Sequence, residues 1–206
     1  MPDEPARRRY DSLRRTAQAQ QTSSEIANAA LALFVAKGWA ATTVRDVARE
    51  AGVSVPTVYA AYGNKTGLTT ALIDAADLSA DLPRLLAELE TANPARQLAA
   101  MVGYDRRLFE RAGDIIALLR EAGRTEPELA QTYRDARARA DNAHHQVLAA
   151  WPAGALRTDL DMATALDIYA AICNIDVYTE LTLERGWSPV RVEQWWTNLL
   201  VRELLN

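Results

Sequence analysis

The stretch TVRDVAREAGVSVPTVYAAY, Thr43 to Tyr62, decides how this chain is read. Thr43 places a hydroxyl ahead of a short run in which Val44, Val47, Ala48 and Ala51 share one face. Asp46, three residues on, completes an approximate capping box. Gly52 supplies the positive φ that a tight turn between helices needs, and Val53 is the apolar plug beneath it. Ser54 caps the next helix. Pro56 falls in that helix's first turn, where a missing N–H breaks no intrahelical bond. Two short helices joined by a glycine-containing turn make a helix-turn-helix at about residues 43–62.

Helical spacing continues in both directions. Upstream, Ile26, Ala30, Leu33 and Phe34 fall on one stripe, and Gly38 stands where a left-handed residue ends a helix. Downstream, the spacing predicts a linking helix at 66–80 and longer helices near 94–121, 126–150, 161–185 and 189–205. Breakers fall between them at Pro83, Asn93-Pro94, Gly123 to Pro127, Pro152 to Gly154 and Gly186 to Pro189. No useful length of alternating β-branched residues occurs. The expectation is an all-α protein: a basic, flexible arm at 1–19, a three-helix helix-turn-helix domain at 20–66, and a larger helical domain at 67–206, to which the family resemblance given below assigns effector binding and dimerisation.

The composition narrows the function classes. Apolar residues make up 49% of the 206 and charged residues 24%, which suits a globular protein. No run of about 18 apolar residues or secretory h-region is present, so no membrane span is expected and the cytoplasm is the expected compartment. Cys173 is the single cysteine, which excludes an internal disulfide and a multi-cysteine zinc site. Asp141 and His145 sit at metal-holding spacing but lack a third ligand. No nucleophile–base arrangement or phosphate loop appears, so neither catalysis nor a cofactor is expected. The net charge of −4 is unevenly spread: residues 1–66 carry nine Lys and Arg against six Asp and Glu, while the remainder carries fourteen against twenty-one. That asymmetry turns the N-terminal part toward a polyanion.

A helix-turn-helix reads DNA through the start of its second helix. Val55, Pro56 and the Thr57 methyl suit thymine methyls, and the Thr57 hydroxyl suits a base edge or phosphate. Tyr59 and Lys65 suit phosphate, and the amides behind Thr43 and Ser54 add anion contacts at the helix starts. Arg7, Arg8, Arg9, Arg14 and Arg15 form either a solvated tail or a minor-groove arm.

The run from Thr42 to Tyr59, followed by Tyr62 and Lys65, resembles the signature of the TetR family, and Ala29-Ala30, Leu33-Phe34 and Gly38 match its first helix. The resemblance implies a homodimer on double-stranded operator DNA, repressing until a small-molecule effector releases it. Activation, or a protein partner in place of the small molecule, stays open. It places Thr42, Thr43, Ser54, Val55, Pro56, Thr57, Tyr59 and Lys65 at the DNA, and packs Tyr62 beneath the recognition helix. Two positions depart from the pattern. Pro56 stands where glycine is usual, and Ala61 where His or Tyr often touches phosphate.

In the larger domain, Leu129, Tyr133, Ala136, Ala140, His144, Val147 and Trp151 form a stripe interrupted by one imidazole. A second stripe, Leu98, Met101, Asp105, Leu108, Ala112, Ile115 and Leu119, is interrupted by a carboxyl, and Asn174 lies among Ile172, Ile175 and Tyr178. These polar interruptions either converge on a pocket or make separate structural hydrogen bonds. The effector candidates are Met101, Asp105, Tyr133, His144, Asn174 and Tyr178. Ile168, Ile172 and Ile175, with Val192, Trp195, Trp196 and Leu199, line the last two expected helices and are the candidate dimer interface. The stretch from Glu184 to Pro189, with Trp195-Trp196, resembles a TetR subgroup whose last two helices pair as a four-helix bundle. A two-fold dimer implies a roughly palindromic operator.

Overall fold

A computed structural model describes residues 4–90 and 93–206, with side chains from Thr16 onward except at 76–79. Every extended element among the described residues is an α-helix. The chain divides into two compact units, one running to Leu72 and the other from Ile73 to Asn206.

The first unit holds α1 (Glu4–Lys37), α2 (Val44–Glu50), α3 (Val55–Tyr62) and the start of α4 (Lys65–Ser79). The segment expected as a flexible arm is helical from Glu4 and continuous with α1. Between Pro5 and Gly38 no glycine or proline interrupts a run rich in Ala, Arg, Gln and Leu, which are strong helix formers. The arm's five arginine side chains lie outside the described residues.

Packing follows the expected stripe. Ile26, Ala30, Leu33 and Phe34 are buried, as are Val47 and Ala48 of α2 and Val58 of α3, and α1 packs on both short helices. Thr43 closes its capping box: its hydroxyl accepts from Asp46 N at 3.1 Å, and an Asp46 carboxylate oxygen accepts from Thr43 N at 3.0 Å. Gly52 turns the chain at φ +66°, and Val53 N donates back to Ala48 O at 2.9 Å. Gly67, in the first turn of α4, sits against the Tyr62 carbonyl so closely that an added Cβ would lie 2.2 Å from its oxygen. Only glycine fits there.

The second unit continues with α5 (Leu82–Leu89), α6 (Pro94–Ala122), α7 (Pro127–Ala149), α8 (Met162–Ile172), α9 (Ile175–Thr179) and α10 (Pro189–Leu204). A π-helical turn, Glu180–Glu184, extends α9. Helix α6 is the central element and packs on α5, α7, α9 and α10. Phe109, Tyr178 and Trp196 form an aromatic cluster with ring centroids about 6 Å apart, worth a further ~0.5–1.5 kcal/mol per pair beyond area burial.

Two elements differ from the sequence expectation. Pro83, read as a breaker, lies in the first turn of α5, behind an Asp81 side chain that accepts from Arg84 N. Proline is tolerated there because that amide is unpaired in any helix. The helix expected at 161–185 is broken at Cys173–Asn174. Asn174 Oδ1 accepts from both Asp176 N and Val177 N at 3.0 Å, so its side chain caps a new helix.

Candidate DNA interface and ligand cavity

At the start of α3, Ser54 Oγ accepts from Thr57 N at 3.3 Å, and the two hydroxyls lie 2.7 Å apart. Pro56, Tyr59 and Ala61 are exposed, Val55 and Thr57 are half-buried, and Val58 points into the core. This alternation gives the helix one face for the core and one for a partner. Tyr59 is 50% exposed. Tyr62 instead donates its hydroxyl to Ser23 O at 2.8 Å and ties α3 to α1. Thr43 is exposed but holds its cap.

Two residues expected to face DNA are turned inward. Thr42 is completely buried, and its hydroxyl donates to Gly38 O at 2.9 Å and Leu33 O at 3.3 Å. Lys65 Nζ donates to Trp39 O at 2.8 Å and Thr42 O at 2.9 Å, and stands 3.6 Å from the Trp39 ring centroid. An ammonium holding two carbonyls over an indole face acts as a clamp on the corner after α1. Trp39 Nε1 donates to Thr69 Oγ1, and Thr69 in turn donates to Lys65 O. The signature lysine therefore supports the motif from within.

In the second unit a cavity of about 480 Å³ opens between α5, α6 and α7. Its walls are Leu85 and Leu89 of α5, Met101 and Asp105 of α6, and His144 and Val147 of α7, among others. A smaller chamber of about 100 Å³ lies between α6, α7 and α8, and Asp105, Leu108, Ala136, Ala140 and His144 border both. Tyr133 and Asn174 line the smaller chamber, so two of the three polar interruptions border both chambers and the third borders the smaller alone. Tyr178 lines neither and belongs to the aromatic cluster.

The junction is chemically loaded. Tyr169 Oη donates to Asp105 Oδ2 at 2.8 Å. His144 Nε2 lies 3.8 Å from the same oxygen, and its ring packs on Tyr169 with centroids 4.4 Å apart. Burial pushes the Asp105 carboxyl above its usual range, against the opposing pull of His144, Tyr169 and Arg137. Burial likewise raises the Tyr169 phenol and the Cys173 thiol well above their usual values. The four leucines of α5 and Gln97 and Tyr104 of α6 were missed as cavity residues. Leu82, Leu85, Leu86 and Leu89 do carry a legible amphipathic spacing, hidden by the reading of Pro83.

Residues 26–72, which contain this helix-turn-helix, match the family model described as bacterial regulatory proteins, tetR family. The likeness to that family is carried by the helix-turn-helix unit. A Bacillus subtilis relative, the uncharacterized HTH-type transcriptional regulator YvkB, is 42% identical over 52 residues, a segment spanning 25% of this chain and 28% of that protein. Over most of the chain the fold is similar to that of several solved structures. NalD of Pseudomonas aeruginosa, described as the secondary repressor of the MexAB-OprM multidrug efflux pump, superposes with a TM-score of 0.74 at 20% identity, over 92% of this chain and 98% of that one. A putative transcriptional regulator from Saccharomonospora viridis, solved in complex with choline, gives 0.70 at 21% identity over 91% and 99%. The Bacillus subtilis regulator FadR, in complex with stearoyl-CoA, gives 0.69 at 18% identity over 87% and 98%.

The C-terminal apolar residues divide into two sets. Ile175, Val192 and Trp196, expected at a dimer interface, are at most 5% exposed within the single chain and belong to its core. Trp195 is exposed, and Ile168, Ile172 and Leu199 are half-buried. Leu183 and Val190, which the sequence reading passed over, are more exposed than any of these. The i, i+4 spacing that marked one face of α10 did not separate the side packed on α6 from the side left open.

Proposed function

We propose that this protein is a regulator of the tetR family, a cytoplasmic homodimer that represses transcription by binding operator DNA and leaves it when a small molecule enters the cavity of the second unit. The exposed start of α3, held on a doubly capped helix-turn-helix, carries the reading. Val55, Pro56 and Thr57 approach base edges, and Tyr59 and the amides behind Thr43 and Ser54 approach phosphates. Thr42 and Lys65 hold that surface in place from inside. The excess of basic residues in 1–66 favours the polyanion.

A second copy would cover the exposed Leu183, Val190 and Trp195 and the half-buried Ile168, Ile172 and Leu199. The relatives support the ligand-released repressor: one is described as a repressor, and two were solved with a small molecule bound. Effector binding would favour a dimer whose recognition helices no longer match successive major grooves.

Fluorescence anisotropy with DNA from upstream of the protein's own gene, combined with light scattering, tests the reading. The expected result is saturable binding that outcompetes unrelated DNA, by a species of twice the chain mass. Binding to all sequences alike, even at low salt, would sink the operator claim.

A further inference from the structure

We propose that the effector is an amphiphile with an apolar body and a single protonated amine, its ammonium seated against Asp105 at the junction of the two chambers. The inference rests on the reading of this cavity as the effector site and adds the chemical class.

The walls of the larger chamber are mainly aliphatic, and its volume suits a small organic molecule. Asp105 is the exception. Its side chain is 9% exposed and borders both chambers. Among the described residues Tyr169 is its one hydrogen-bond donor, to Oδ2, and none reaches Oδ1. Two guanidiniums also line the chambers, Arg139 the larger and Arg137 the smaller; Arg137 lies 3.6 Å from Asp141 and acts on Asp105 at longer range, and Arg139 lies 3.9 Å from Asp74. His144 lies at 3.8 Å, outside hydrogen-bond range.

A carboxyl so placed demands a cation or a donor, because a buried anion without one is costly. An alkane would leave Oδ1 unmet, and a carboxylate ligand would bring a like charge into a desolvated site. An ammonium satisfies Oδ1, and the aliphatic wall takes the rest of the molecule. Burial already holds the carboxyl above its usual range, so an arriving cation shifts it toward the ionised form.

The test uses the full-length protein and three probes of equal chain length, nonylamine, nonanol and nonanoate, by calorimetry and thermal melting near neutral pH. Nonylamine should bind about tenfold or more tighter than nonanol, the range of a charge-assisted hydrogen bond, with nonanoate weakest. In Asp105→Asn that advantage should vanish while nonanol still binds, which also shows that the variant is folded. Asp105→Glu should keep the preference. Equal affinities, a preference for nonanoate, no binding of nonylamine, or an amine preference that survives Asp105→Asn would each overturn the proposal. Operator release by whichever probe binds is measured separately, so the effector reading stands or falls on its own.

Discussion

Tyr59 and Tyr62 lie one helical turn apart on α3 and do opposite work. Tyr59 is half exposed, whereas the Tyr62 hydroxyl is committed to Ser23 O. Removing each hydroxyl should therefore act on different observables. Tyr59→Phe should weaken operator binding by about tenfold, the loss of one hydrogen bond to a charged phosphate, and leave the urea midpoint unchanged. Tyr62→Phe should cost about 1 kcal/mol of stability and leave affinity nearly intact once the protein is folded. If both substitutions moved affinity alone, Tyr62 would belong at the DNA and not in the scaffold. The same contrast shows what a sequence hides. Residue type and spacing placed Tyr59, Tyr62 and Lys65 near one another, but the partners of Tyr62 and Lys65 are carbonyls contributed by distant parts of the chain. Lys65 reaches Trp39 O across 26 positions, and no local pattern announces that.

The helix-turn-helix depends on one backbone conformation. Gly52 sits at φ +66°, and no atom lies within 4 Å of where its Cβ would stand. Crowding is therefore absent, and any loss in Gly52→Ala comes from the left-handed backbone alone. That substitution should cost about 1–2 kcal/mol in urea unfolding, and Gly52→Asn less, since asparagine tolerates this region. A neutral Gly52→Ala would mean that the turn relaxes without the positive φ. Such elements were legible because their determinants are local: the Thr43 and Ser54 caps, Gly52 and the apolar spacing all lie within twenty residues. The break at Asn174 was not, because the Ile-rich periodicity runs straight through it and only the side-chain bonds to Asp176 N and Val177 N reveal the restart. Helix α5 was lost for the opposite reason. Pro83 breaks a helix interior yet begins a helix equally well, and the choice rested on Asp81 capping behind it.

At the scale of the whole molecule, the proposed function requires two sites to share one equilibrium. The proposed recognition surface lies in the unit ending at Leu72 and the cavity in the unit beginning at Ile73, so on the proposed reading a ligand would act on DNA binding through differential stability of two states. The polar groups at the cavity junction were legible as interruptions of two apolar stripes, but their convergence was not, since stripe positions on α6 and α7 do not fix the helices' rotation toward each other. Coupling between the sites is reciprocal. A ligand that weakens operator affinity by a given factor must lose affinity by that same factor when operator is bound, and couplings of this kind typically span about 5–150-fold. Calorimetric titration of a cavity ligand into free protein and into the protein–operator complex measures one side, and anisotropy with and without ligand measures the other. The two factors should agree and exceed about fivefold. Ligand affinity unchanged by operator would show that filling the cavity does not bias the DNA-binding state, and release by an effector at this site would be ruled out.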